Sequence, residues 1–415
     1  MDGVGGTHRR HLPGVAVRTV EEHQRIIAGL ITPRPAVTVP LAAAEGLVLA
    51  ADVVAPLSLP GFDNSAMDGY AVLATDIAGA TAENPVELPV AEDIPAGRTD
   101  ALTLRPGTAH RIMTGAMLPA GATAVVPVER TDAGTETVTI SIDAKPGQHI
   151  RHAGEDVTAG TTVLQAGQVV TPAALGLVAA LGIAELTVRP RQRVLVMSTG
   201  TELVAPGTPL QPGQIYESNA VMLAAAVRDA GGEVVAAPMC GDDVAEFRAT
   251  LERHRGQADL IITTGGVSAG AYEVVKDAFG RSSDSVEFVK VAMQPGMPQG
   301  SGVIDGTPII TFPGNPVSAL VSFEVFLRAP LRAAMGLPVP DRPRRTATLT
   351  EPLTSPPGRR QFRRGVLAED RVVSYGPPAS HHLRWLASAN CLLEIPEDVT
   401  EIGVGTAVRV WDLST

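Results

Sequence analysis

The sequence predicts a multidomain chain of α/β plus β class. A central α/β domain with a parallel-type sheet would be flanked by small, mostly β regions. Three observations carry this expectation. The chain has 415 residues, more than one ordinary hydrophobic core holds. Between residues 191 and 335, apolar runs of strand length alternate with helix-patterned segments. On either side, short β-forming runs are broken repeatedly by Gly, Pro and Asp.

Residues 1–16 lack the apolar core of a secretion signal and read as a disordered tail. Residues 17–58 are partly helical. In "TVEEHQRIIAGL", Thr19 with Glu22 three residues on forms a capping-box pattern. Residues 59–149 hold runs such as "VELPV", "ATAVVPVE" and "TVTISI", the texture of a small β domain. Turn-spaced glycines and the short helix "TPAALGLVAALG" fill 150–190.

In the central region, "RVLVMSTG", "EVVAAPMC", "DLIITTGG", "VKVAM" and "PIITF" read as strands. "SNAVMLAAAVRDAGG" reads as a helix capped by Ser218 or Asn219, and "DDVAEFRATLERH" as one opened by acids. Pro316 starts a long helix, "PVSALVSFEVFLRAPLRAAMG", at a position proline favours. Near-continuous apolar strands argue for a sheet covered on both faces. Residues 336–415 return to short strands and prolines, a C-terminal β domain.

Composition narrows the function. A net charge of −11 argues against nucleic acid as a general partner. No apolar run reaches the roughly 18 residues of a membrane span. Cys240 and Cys391, the only cysteines, form neither a metal motif nor a disulfide framework, so a cytoplasmic protein is expected.

In doubly wound sheets, ligands bind at the carboxyl ends of the strands. Those ends here carry "STGTE", "CGDD", "TTGGVSAG" and "FPGNPVS". The glycines of "TTGGVSAG" let backbone N–H groups approach a phosphate. The loop lacks the lysine and spacing of an ATP-type P-loop. A tight strand-to-helix turn is the plainer alternative. Likewise Asp63, Asn64, Ser65 and Asp68 in "PGFDNSAMDGYAV" could be turn formers alone.

Taken together, "DNSAMDGYA", "RIMTGAMLPAGATAVVPVE", "GED", "STGTELV", "GQIYESN", "TTGGVSAG" and "FPGNPVSAL" resemble the molybdopterin molybdenumtransferase (MoeA) family, related to the carboxy-terminal domain of gephyrin. The resemblance implies four domains: an elongated domain from 17–58 and 150–190, an inserted β domain at 59–149, an α/β molybdopterin-binding domain at 191–335, and a β domain at 336–415. It implies insertion of molybdate into adenylated molybdopterin with release of AMP, assisted by Mg²⁺ or a similar divalent ion. It also implies a homodimer, with other proteins of molybdenum cofactor synthesis as candidate partners.

By resemblance, Asp63, Thr114, Glu202, Asp242 and Glu273 are the catalytic set, with Asp63, Glu202 and Asp242 as metal candidates. Ser65 and Asp68 would instead shape their loop. Ser198, Thr199, Thr263, Thr264, Gly265, Gly266 and Ser268 would line the pterin phosphate. Pro313, Gly314, Asn315, Pro316 and Ser318 would form the last loop of that site. Two departures stand out. Glu273 replaces a common Asp, and "MQPGMPQ" puts Gln294 and Met297 where many members have lysines. Molybdate would then be met by Gln294, by an arginine of "GRRQFRRG" (Arg359, Arg360, Arg363 or Arg364, the first two foremost), and by Ser380, with Lys290 as a further cation. Two rivals remain at this level: a pterin adenylyltransferase or nucleotide hydrolase with a similar glycine loop, and a non-enzymatic scaffold.

Overall fold

The computed structural model describes residues 17–266, 274–279 and 285–414. The chain divides into two compact units. One comprises Thr38–Thr187; the other comprises the chain before and after it.

The Thr38–Thr187 unit contains a five-stranded sheet, ordered Thr137–Ile140, Val86–Ile94, Ala109–Ile112, Gly69–Val72, Ala124–Pro127. All its pairings are antiparallel except that of Val86–Ile94 with Ala109–Ile112. Tyr70, Val72, Leu88, Val126, Val138 and Ile140 form its core. The buried Tyr70 hydroxyl is satisfied by the Gly134 carbonyl at 2.8 Å. The same unit carries the helix Pro172–Ala180, whose Thr171 cap accepts from the Ala174 amide.

In the second unit, the strands Arg193–Thr199, Leu260–Thr264 and Thr307–Phe312 pair in parallel, and Glu233–Ala236 extends them parallel on one side. Arg193–Thr199 and Leu260–Thr264 are the buried apolar runs that a two-sided sheet requires, whereas Glu233–Ala236 is only half-buried. On the other side the sheet becomes antiparallel: Pro298–Ile304 pairs with Thr307–Phe312, and Ser285–Val291 with Pro298–Ile304. The strand Pro298–Ile304 was not legible in "PQGSGVI", because its glycines read as loop. Gly302 is there for closeness: a Cβ would lie 2.0 Å from the Ser285 carbonyl oxygen. "EVVAAPMC" is two strands, Glu233–Ala236 and Met239–Cys240, interrupted at Pro238.

The Asn219–Asp229 helix has Ser218 at its N-cap position, but the capping oxygen comes from Glu217, whose carboxylate accepts the Ala220 amide at 2.6 Å. The helical stretch from Pro316 runs Pro316–Ser322, then a π turn Phe323–Leu327, then Arg328–Ala334. The wide turn precedes Pro330, which lacks an N–H and whose ring crowds the carbonyl one turn back. Arg328, Arg342, Glu324 and Asp229 knit this helix to the segment beyond it.

Beyond Gly336 the strands Arg360–Ala368, Arg371–Ser374, Arg344–Leu349, Ala407–Asp412 and Cys391–Ile395 pair in a closed ring, a small barrel without open edges. Met293–Gln294 leaves the α/β sheet and pairs with the barrel strand at Arg360 and Gln361. This short pairing ties the two halves of the unit together.

At the N-terminus of the unit, Thr19 and Glu22 form the expected capping box on the helix Val20–Leu30. His23 on this helix is fully buried, edge-on to Phe326, with ring centroids 4.7 Å apart. Neither ring nitrogen has a partner among the described residues. Burial, and then Arg18, lowers its pKa to about 4. The unfolded chain therefore binds the extra proton between pH 6.5 and 4. Stability from the neutral ring is complete above pH 6.5 and declines as pH falls to about 4, by roughly 3 kcal/mol. Replacing His23 by Leu should flatten that part of the stability–pH curve, as read by urea denaturation at pH 7 and pH 4.5. An unchanged slope would show that His23 is not the group titrating.

Candidate functional site

The carboxyl ends of the parallel strands open onto one cleft of about 1050 Å³. Thr199 and Gly200 reach it from the first strand, Thr264, Gly265 and Gly266 from the next, and Pro313, Gly314, Asn315, Pro316 and Ser318 from the last. Gly265 holds φ at +90°, and a Cβ there would meet the Thr199 carbonyl oxygen at 2.6 Å. Its amide donates to the Phe312 carbonyl. A Cβ on Gly314 would lie 3.5 Å from Gly265 Cα, and Asn219 Nδ2 donates to the Gly314 carbonyl at 2.7 Å. Three loops are thereby locked onto one another.

Two carboxylates belong to this cleft. Glu202 follows the first strand, where no helix starts; its side chain folds back over Gly200. Asp242 follows Met239–Cys240, and one of its oxygens accepts from both the amide and the hydroxyl of Thr201, at 3.0 and 2.9 Å. The second Asp242 oxygen has no hydrogen bond among the described residues. Ser198 and Thr263 are buried in their strands and do not line the cleft. The Thr263 hydroxyl bonds that of Thr311, whereas Ser198 Oγ and Thr264 Oγ1 lack partners among the described residues. Ser268 and Glu273 lie outside the described residues.

The other wall comes from Met293–Pro298, Arg359 and the loop Pro378–His381. Gln294, Arg359 and Ser380 all line the cleft. Arg360 does not. It occupies the first residue of its strand and is bound by Glu21, Glu394 and Glu397 at another surface. Three carboxylates hold its charge, so the expectation that it meets the oxyanion is corrected. Lys290, in the Ser285–Val291 strand, is likewise absent from the cleft lining. Arg364 has a different role: its buried guanidinium donates to the carbonyls of Pro377, Ala379 and His382. It thus shapes the loop that presents Ser380, whose own carbonyl accepts from the Val317 amide.

In the Thr38–Thr187 unit, Asp63 is exposed and accepts from the Ala153 amide at 2.8 Å, with His152 Nδ1 at 3.3 Å. The Ala153 bond is the main reason its carboxyl lies below the usual carboxylate range. Ser65 Oγ turns back onto the Met67 backbone. One Asp68 oxygen accepts from both the amide and hydroxyl of Thr114, each at 2.7 Å. Ser65 and Asp68 therefore shape the loop, and Asp68 orients Thr114.

Three family models match the chain: the MoeA N-terminal region (domain I and II) over residues 18–182, a probable molybdopterin binding domain over 195–333, and the MoeA C-terminal region (domain IV) over 346–413. The chain belongs to the MoeA family. It is 70% identical over 405 residues to molybdopterin molybdenumtransferase 2 of Mycobacterium tuberculosis, covering 96% of this chain and 100% of the relative. It is 38% identical over 421 residues to molybdopterin molybdenumtransferase 1 of the same species, covering 95% and 98%. A crystal structure of the MoeA molybdopterin biosynthesis protein from Pyrococcus horikoshii matches it at 30% identity and a TM-score of 0.79, covering 96% of this chain and all of the other. The MoeA-family assignment gives the cleft its context. The sequence reading gave "GQIYESN" no ligand role, only a helix cap at Ser218 or Asn219, yet Tyr216, Glu217, Ser218 and Asn219 all line the cleft.

The Asp68 bond to Thr114 has a measurable consequence. The Thr114 amide bond is the main cause lowering the Asp68 carboxyl below its usual range, so the clamp is intact above the ordinary carboxylate range and is lost as pH falls through that lowered value. Asp68→Ala should raise hydrogen exchange at the Thr114 amide by roughly tenfold at neutral pH. Unchanged exchange would mean that Thr114 is held by something else.

Proposed function

We propose that this protein inserts molybdenum into adenylated molybdopterin, forming molybdenum cofactor and releasing AMP. The observation that carries the reading is the convergence of Glu202, Asp242 and the interlocked Gly265 and Gly314 loops on one cleft, in a chain so close to named molybdopterin molybdenumtransferases. Molybdate is a substrate here, not a resident cofactor.

The chemistry asks for little covalent work by the protein. With the Gly265 amide committed to Phe312, the neighbouring glycine-loop backbone would meet a phosphate, and Thr199 and Thr264 lie beside that loop. Arg359 and Ser380 offer donors to a tetrahedral oxyanion, with Gln294 supplying a neutral one. A divalent ion such as Mg²⁺ fits this donor set. Among the described residues no three His, Cys, Asp or Glu side chains form a closed cage. Two carboxylates on a cleft wall, with substrate phosphates completing the shell, are the usual way Mg²⁺ is held. Glu202 and the free Asp242 oxygen would hold it, and when bound it would neutralise charge at a phosphoryl group. Asp63, whose oxygens already face Ala153 and His152, is the weaker metal candidate.

The same reading takes the protein as a cytoplasmic homodimer in which Asp63 and Thr114 act with the cleft. Other proteins of molybdenum cofactor synthesis would supply its substrate and receive its product. The test is release of AMP from adenylated molybdopterin by the purified protein, with and without molybdate. Molybdate should accelerate release, and Glu202→Gln should slow it on the order of 10²–10³-fold while the melting temperature is kept. Turnover of the variant at the wild-type rate would remove Glu202 from the machinery; no molybdate dependence in the wild type would overturn the reading.

A further inference from the structure

We propose that Tyr216 is the platform on which a flat nitrogen heterocycle of the substrate stacks. The proposal deepens the reading above and rests on it, because that substrate carries two such rings, a pterin and an adenine.

Tyr216 is the only Phe, Tyr or Trp side chain among the described residues lining the cleft. It is 44% exposed there. Its ring makes no aromatic contact and its hydroxyl no hydrogen bond among the described residues, so no internal partner accounts for its position.

The backbone around it is held firmly. The Ile215 amide donates to the Glu202 carbonyl, and the Glu217 amide to the Val204 carbonyl, both at 2.9 Å. Leu203–Val204 and Ile215–Tyr216 pair in parallel register. Just beyond, the buried Glu217 is fastened to the Ala220 amide. A fixed backbone thus presents an open aromatic face to the cleft. Tyrosine suits this task because it offers a large rigid surface with only two side-chain torsions to order. Aromatic platforms hold heterocycles through their π-faces and place no demand on their hydrogen-bond edges. Specificity would then rest on neighbours such as Asn219, whose Nδ2 is committed to Gly314 while its Oδ1, also buried, has no partner among the described residues.

Binding of AMP, and of molybdopterin lacking the adenylate, is measured by titration calorimetry on the full-length protein. Tyr216→Ala and Tyr216→Leu should each weaken one of the two ligands by roughly tenfold, and Tyr216→Phe should bind both like the wild type. The ligand that weakens identifies the stacked ring. Tyr216→Trp provides a direct signal: its added emission should be quenched by that same ligand. If Ala and Leu variants that remain folded bind both ligands with wild-type affinity, the platform does not exist and the reading above stands without it. If the wild type binds neither ligand, both fall together.

Discussion

The cleft depends on the absence of a single carbon atom. At Gly265 the chain turns with φ at +90° so close to Thr199 that no side chain fits, and Gly314 packs in van der Waals contact on the other side. This approach brings the ends of three parallel strands into one wall. It also keeps side chains off this part of the wall, which lets a ligand approach the backbone closely. Asn219 reinforces the arrangement by tying the helix that follows "GQIYESN" to the Gly314 carbonyl.

Charge is the second constraint. Glu202, Glu217 and Asp242 line the cleft, whereas Arg359 is the only Lys or Arg among its described lining residues. For the anionic substrates proposed above, that balance puts the weight on positive charge from the far wall. The barrel's arginine-rich strand meets this need selectively. Arg359 faces the cleft, Arg360 is neutralised by three carboxylates, and Arg364 spends its donors on the backbone of the Ser380 loop. Neighbouring arginines in one motif thus have distinct tasks: Arg359 lies before the strand, Arg360 opens it among three carboxylates, and Arg364 sits further along it under the Ser380 loop.

Much of this was legible in the sequence. Long apolar runs gave the parallel strands, because burial on both faces leaves no polar alternation to confuse them. The sheet-end rule then placed Thr199, Glu202, Asp242, Thr264 and Pro313 near one another. Less was legible where tertiary contact overrides local signal. Pro298–Ile304 is a strand whose glycines serve close packing, although glycine in isolation reads as loop. Glu217 caps a helix that Ser218 or Asn219 was expected to cap. The fate of Arg360 turned on Glu21, 339 positions away in the chain, which no spacing rule brings to it.

The central claim is that the interlocked glycine loops form the ligand site. It is tested most directly by measuring AMP affinity in Gly265→Ala, with circular dichroism and thermal melting as controls for folding. The added Cβ would push Thr199 away and reshape the loop. The account predicts an affinity at least about tenfold weaker in a variant that still folds, the size of one lost charge-assisted bond. Wild-type affinity in that variant would contradict it.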